Sequence, residues 1–291
     1  AKPVKPSELL AAVGLALGGD AAAQAAAAPP AAASARERLR VLLVEDNPVN
    51  RRLAVHVLEK DGHDVVAAEN GEAALSVLES SSFDLVLMDV QMPKMDGIEA
   101  TRAIRDKERA TGAHVPIIAL TAHAMAGDRE RCLHAGMDGY LIKPIRPATL
   151  LEAIQRLRVV APARAAPAAA QVAEPGAPVL DRKALLERVA GDHELLSEVT
   201  GMLLRDAPKL IASVREALER RDRDAFGYAA HTLRGMLRNF SAAAAEEAAA
   251  RLQALDCSRD DPRAEAACQA LEREIQRLST ELAGMTKEMV A

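Results

Sequence analysis

LRVLLVEDN (39–47) is an apolar, β-branched run that stops abruptly at two carboxylates, Glu45 and Asp46. Two later stretches follow the same plan. FDLVLMDVQMP (83–93) stops at Asp89, and GYLIKPI (139–145) stops at Lys143, followed by Pro144. Runs of this kind read as strands buried on both faces, as in a parallel sheet. All strand C-termini of such a sheet lie on one edge, and ligands bind in the crevice there. Three carboxylates and one ammonium, drawn from segments about 40–50 residues apart, therefore converge on one point. That arrangement suits a divalent metal and a phosphoryl group.

Working outward, residues 39–158 alternate regularly. Strands are predicted at 40–45, 64–68, 84–88, 116–120 and 139–142, and helices at 48–60, 70–80, 96–108, 124–135 and 147–158. Pro48 stands just inside one helix and Asn70 caps another, while Gly62, Gly112 and Gly136 sit where helices should stop. Right-handed crossovers then cover both faces, giving an α/β doubly wound five-stranded parallel sheet. Two Ala/Pro-rich stretches, within 19–38 and 159–178, read as linkers. KPVKPSELLAAVGLAL (2–17) lines up with KPIRPATLLEAIQRLR (143–158), so residues 1–18 read as the last helix of a truncated upstream copy of the 39–158 domain. On that reading the chain is part of something longer.

Composition narrows the function. The 291 residues allow about two domains. Only five residues are aromatic, which favours cores of Leu, Val, Ile, Met and Ala in helices and buried parallel strands. The net charge is −5, and residues 179–291 hold 17 basic against 20 acidic side chains, with no basic stripe, so nucleic acid is not an expected partner. Cys132, Cys257 and Cys268 are odd in number and fit no metal spacing, as for thiols in a reducing cytoplasm. No apolar run reaches the ~18 residues of a membrane span, so no membrane contact is expected of these residues. The phosphate loops G-x-G-x-x-G and G-x-x-x-x-G-K-[ST] are both absent. Glu45, Asp46 and Asp89 crowded together would raise one another's pKa, and a hard cation such as Mg²⁺ relieves that repulsion.

EDN (45–47), MDVQMPKMDG (88–97), LTAHAM (120–125) and GYLIKPI (139–145) closely resemble the receiver domain of two-component response regulators, in order and in spacing. The resemblance covers 39–158 and implies a flavodoxin-like fold. It makes Asp89 the phosphoacceptor, attacking the phosphorus of a kinase phosphohistidine in line. It implies that Glu45, Asp46, Asp89 and the Gln91 backbone carbonyl hold Mg²⁺, with Lys143 and the Thr121 hydroxyl on the phosphoryl oxygens. Pro144 would follow a cis peptide that aims Lys143 inward, and Thr121 and Tyr140 would be the switch pair. Such catalysis is positioning and charge neutralisation more than covalent chemistry. His123, two residues after Thr121, would border the phosphate site.

Residues 179–291 carry no strand signal. Helices near 181–190, 192–220, 222–239, 242–256 and 262–289 imply a separate all-α four-helix-bundle domain with a short leading helix. In RDRDAFGYAAHTLRGMLRNF (221–240), an advance of about 100° per residue places Phe226, Ala229, Leu233, Met236, Leu237 and Phe240 opposite His231. Gly227, Arg234, Gly235 and Arg238 share the face of His231, which should therefore look into water. Each glycine costs about 1 kcal/mol relative to Ala in a helix interior, and the pair should leave the imidazole standing clear. AHTLRGMLRNFSA resembles the histidine-phosphotransfer (HPt) signature, with Arg234 where lysine is usual, Met236 where a small residue is common and Ser241 where glycine is common. The resemblance makes His231 a phosphohistidine site.

Together these features read as the C-terminal relay part of a hybrid sensor histidine kinase. A phosphoryl would pass from a kinase histidine to Asp89, then to His231, then to an aspartate on a downstream response regulator. The partners implied are a histidine kinase domain and that regulator's receiver domain. An ATP-binding kinase domain is absent from these residues, so they would accept phosphate without taking it from ATP. The alternative is a phosphorylation-gated interaction module whose helical domain only docks a partner. The cytoplasm is the expected location, with the parent protein anchored in the inner membrane.

Overall fold

A computed structural model describes residues 38–122, 126–159, 180–255 and 263–290. The upstream helix read at 1–18, the linkers at 19–37 and 160–178, His123 and Cys257 lie outside the described residues. The described residues form one compact unit.

Five strands make the sheet: β1 (Arg40–Val44), β2 (Asp64–Ala68), β3 (Leu85–Asp89), β4 (Ile117–Thr121) and β5 (Gly139–Ile142). Their order is β2-β1-β3-β4-β5, every pair parallel. The intervening helices are α1 (Pro48–Lys60), α2 (Gly71–Ser80), α3 (Gly97–Thr111), α4 (Ala126–His134) and α5 (Pro147–Val159). One apolar layer holds Leu42, Val44, Val86, Met88 and Ile117, and the opposite layer holds Val41, Leu43, Leu85, Leu87 and Leu120. Burial on both faces is why these strands read as continuous apolar runs rather than alternating ones. Two strands end one residue later than the sequence pattern suggested. Asp89 pairs with Leu120 and Thr121 with Ile142, so both site residues are the last rungs of strands, held by ladder contacts.

The second domain is helical: α6 (Arg182–Arg188), α7 (His193–Arg220), α8 (Arg223–Arg238), α9 (Ala243–Gln253) and α10 (Ala264–Val290). Asp181, Asp192 and Asp222 cap α6, α7 and α8, each carboxylate accepting a backbone N–H at 2.9–3.0 Å. The face of α7 formed by Leu196, Val199, Leu203, Ala207, Ile211 and Val214 has helical spacing and is buried. All six residues placed opposite His231 on the wheel, Phe226 through Phe240, are buried as well. Their core has two members from the other domain, Val49 and Leu53 of α1. Helix α1 thus serves two cores, with Ala54, Val57 and Leu58 turned to the sheet.

Candidate functional site

The sheet order puts the switch point between β1 and β3, where a ligand crevice forms at the strand C-termini. Glu45 and Asp46 follow β1, and Asn47 starts α1 by accepting the N–H groups of Val49 (3.1 Å) and Asn50 (3.3 Å) on its Oδ1. Asp89 ends β3. Its carbonyl lies so close to Gly97 that a Cβ there would sit 2.0 Å from the oxygen, so this turn admits only glycine. Lys143 follows β5, its N–H donating to the Thr121 carbonyl at 2.7 Å, and the Lys143–Pro144 peptide is cis. The Lys143 ammonium lies 2.6 Å from Glu45 Oε2 and 2.6 Å from Asp89 Oδ2. The second oxygen of Glu45 accepts from Asn50 Nδ2 at 2.7 Å, and Asp89 Oδ1 accepts from the Gln91 N–H at 3.2 Å. Glu45, Asp89 and Lys143 are all buried.

Burial dominates the electrostatics. It pushes Glu45 up to about 7, with Lys143 pulling against it and the Asp89 charge adding to it. Burial and then the neighbouring Glu45 push Asp46 up to about 6. Burial also raises Asp89, despite Lys143. For Lys143, burial opposes the charge, yet Glu45 and Asp89 hold it above the ordinary lysine range. Three carboxylates face one ammonium, a balance of −2 when all are ionised. Oxygens of Glu45, Asp46 and Asp89 lie within 4.8 Å of one another, and Asp46 Oδ2 is buried with no hydrogen-bond donor among the described residues. These residues fit a hard divalent cation, which takes carboxylate oxygens and cancels that balance.

The opposite wall of the same cleft comes from α8, whose His231, Arg234, Gly235 and Arg238 face Asp89, Asp46 and Lys143 across it. His231 is therefore half-buried rather than open to water as the wheel alone suggested, because the first domain covers that face. Polar contacts fix the docking. Asn47 Nδ2 donates to the Thr232 carbonyl at 3.0 Å, and Arg238 Nη1 to the Ala122 carbonyl at 3.3 Å. Arg52 Nε lies 2.9 Å from both oxygens of Glu198 on α7. His56 Nε2 lies 3.4 Å from Asp192 Oδ2, and Lys60 Nζ donates to the Ala190 carbonyl at 3.3 Å.

Gly235 also has a different reason from the one its helix face suggested. A Cβ there would come within 3.3 Å of Asn47 Nδ2, so the missing side chain admits the amide of the other domain. Arg234 lines the cleft and donates from Nη1 to Gln253 Oε1 at 3.1 Å. Thr121 is buried at the end of β4, and Tyr140 is half-buried with the Arg129 guanidinium 5.6 Å over its ring. Pro144 borders the cleft. Sequence reasoning missed Asn50, Arg52, Glu198 and Asn239. The cap position of Asn47 was readable, but its partner on α8 stands 185 positions away and leaves no local signal.

An acidic pocket with a buried lysine, facing a helical histidine across a shared cleft, suits phosphoryl exchange between carboxylate and imidazole. The chain joins two kinds of signalling domain. Residues 41–155 match the response regulator receiver domain and residues 198–281 the Hpt domain. It is a receiver domain followed by an Hpt domain, homologous to the C-terminal part of hybrid sensor kinases such as GacS. The sensor protein GacS of Pseudomonas syringae pv. syringae is 38% identical over 246 residues, covering 83% of this chain and 27% of that protein. The sensor histidine kinase GacS of Pseudomonas protegens is 38% identical over 248 residues, with the same coverages. The chain thus spans about a quarter of the length of these relatives. The receiver domain of sensor histidine kinase PA1611 from Pseudomonas aeruginosa PAO1, solved with a magnesium ion in its active site cleft, is 45% identical. That alignment covers 41% of this chain and 97% of the other, with a TM-score of 0.38.

Proposed function

We propose that Asp89 accepts a phosphoryl group from the phosphohistidine of a kinase domain, and that His231 takes it next for delivery to a downstream response regulator. The observation that carries this reading is the single cleft in which Asp89 and His231 face each other. In the forward step the lone pair of a neutral imidazole nitrogen of His231 attacks phosphorus. The bond from phosphorus to the Asp89 oxygen breaks, and the carboxylate leaves with the electron pair. Lys143, already 2.6 Å from Asp89 Oδ2, neutralises charge on the phosphoryl and then on the departing carboxylate. Arg234 and Arg238 add positive charge on the histidine side of the cleft, which both domains line. The Thr121 hydroxyl binds a phosphoryl oxygen, and Thr121 with Tyr140 reports the phosphorylated state.

Glu45, Asp46, Asp89 and the Gln91 carbonyl would hold Mg²⁺, which supplies charge neutralisation at the phosphoryl oxygens when bound. Among the described residues no helix is long and apolar enough to cross a membrane. We place the relay in the cytoplasm, where Cys132 and Cys268 stay as the buried free thiols they are here.

The test is to load the chain with labelled phosphoryl from a kinase domain and compare it with His231→Gln and Asp89→Asn. Label should appear on an acid-labile, base-stable group in the parent, stay on the receiver in His231→Gln, and be absent in Asp89→Asn. Label that never reaches a base-stable group in the parent refutes the relay. Label that persists in Asp89→Asn refutes the assigned acceptor.

A further inference from the structure

Two amides outside the reacting groups connect the domains. Asn239, buried at the C-terminus of α8, donates from Nδ2 to the Gly235 carbonyl at 3.1 Å and to Asn50 Oδ1 on α1. Asn50 turns its own Nδ2 to Glu45 Oε1 at 2.7 Å. The other oxygen of Glu45 meets Lys143 at 2.6 Å, and Lys143 meets Asp89 at 2.6 Å. The path from the helical domain to the phosphoacceptor is thus continuous.

An amide carries its acceptor and its donors on opposite ends. With its oxygen engaged by Asn239, Asn50 has only its nitrogen to offer Glu45. Turned over, it would set oxygen against carboxylate on one side and nitrogen against nitrogen on the other. Asn239 therefore selects the single orientation of Asn50 that supports Glu45. Gly235 keeps the passage open, since a Cβ there would stand 3.3 Å from Asn47 Nδ2 and 3.8 Å from Asn50 Nδ2.

We propose that Asn239 is a positioning residue for the acidic cluster of the other domain: through Asn50 it holds Glu45 in the attitude that receives Mg²⁺. Docking of the Hpt domain then prepares the site it exchanges phosphate with. This rests on the reading of the acidic cluster as a Mg²⁺ site.

The test titrates Mg²⁺ alone into the full chain by calorimetry, so it does not depend on phosphoryl transfer. Asn50→Ala removes a group that orients a metal-binding carboxylate and should raise the Kd about tenfold. Asn239→Ala should raise it about threefold, as expected for one lost hydrogen bond. The double variant should bind no more weakly than Asn50→Ala, because both act through one amide. Asn239→Leu keeps size without burying a charge, lacks the donor, and should give the same rise as Asn239→Ala. Parent-like Mg²⁺ affinity in both Asn239 variants overturns the proposal, as does full additivity with Asn50→Ala. If Asp89→Asn binds Mg²⁺ like the parent, the metal reading of the cluster itself fails, a result distinct from the other two.

Discussion

Exchanging Arg52 for glutamate tests the docking geometry at its best-defined contact. Arg52 Nε stands 2.9 Å from both Glu198 oxygens, and an Nη stands 2.9 Å from one of them. The side chains are 33% and 41% exposed, so solvent screening limits the pair to about 1 kcal/mol. Glutamate at 52 would set two like charges face to face. Their repulsion at about 4 Å costs about 1 kcal/mol in a water-like dielectric and about 4 at a surface value of 20. Exposure places this site near the lower figure. Loss of attraction plus new repulsion comes to about 2 kcal/mol, or roughly 30-fold in the docking equilibrium. The assay is rapid-quench transfer of label from Asp89 to His231 in the full chain. Arg52→Glu should slow transfer by roughly tenfold to 30-fold at low salt, with a smaller loss at high salt as screening grows. Combining it with Glu198→Arg should restore most of the rate. Transfer at the parent rate in Arg52→Glu, or a charge swap as slow as the single variant, would refute the docked arrangement as the one that transfers phosphate.

Gly235→Ala should act in opposite directions on stability and transfer. Relief of a helical glycine is worth about 1 kcal/mol, so the melting temperature should hold or rise. The new Cβ at 3.3 Å from Asn47 Nδ2 should meanwhile slow transfer to His231. A faster or unchanged rate counts against the docking role of this glycine. The acidic cluster makes a prediction about pH. Glu45 and Asp46 are raised to about 7 and about 6 in the folded chain, above their unfolded values. The folded state therefore binds more protons than the unfolded one across this range. Their contribution to stability is present below about pH 4 and is lost as pH rises through 6 and 7. Relative to Glu45→Gln, the metal-free parent should lose melting temperature between pH 5 and 8. Saturating Mg²⁺ should raise that temperature more at pH 8 than at pH 5. Parallel melting profiles for the two proteins would show that Glu45 does not carry this linkage.

Much of the receiver was legible because its signals are local. An apolar run that ends in Asp89 reads as a buried strand with its carboxylate at the ligand edge, and the strand order bears this out. Lys143 before Pro144 and the Glu45-Asp46 pair converge as the parallel topology requires. On α8 and just past its end, the 3.6-residue period placed Phe226, Leu233, Met236 and Phe240 in the core, where they lie. The same wheel left His231 in water, because periodicity reports one helix and knows nothing of a second domain. Asn50 and Arg52 look like ordinary polar residues of an amphipathic helix. Val49 and Leu53 look like the remainder of its sheet-facing stripe, although they belong to the helical core.

What the sequence alone determined is therefore the fold of each domain and where its charged strand ends and helix faces lie. Strand period, helix period, caps and charged strand ends are written in neighbouring residues, and the sheet edge gathers them without outside help. What only the tertiary structure decided is how the two chemistries meet. The Asn47–Thr232 contact joins positions 185 residues apart, and the Asn239–Asn50 contact positions 189 apart. Such pairs leave no period or spacing behind, since docking selects for complementarity across a surface rather than along the chain. The cleft shared by Asp89 and His231 exists only once that surface has closed.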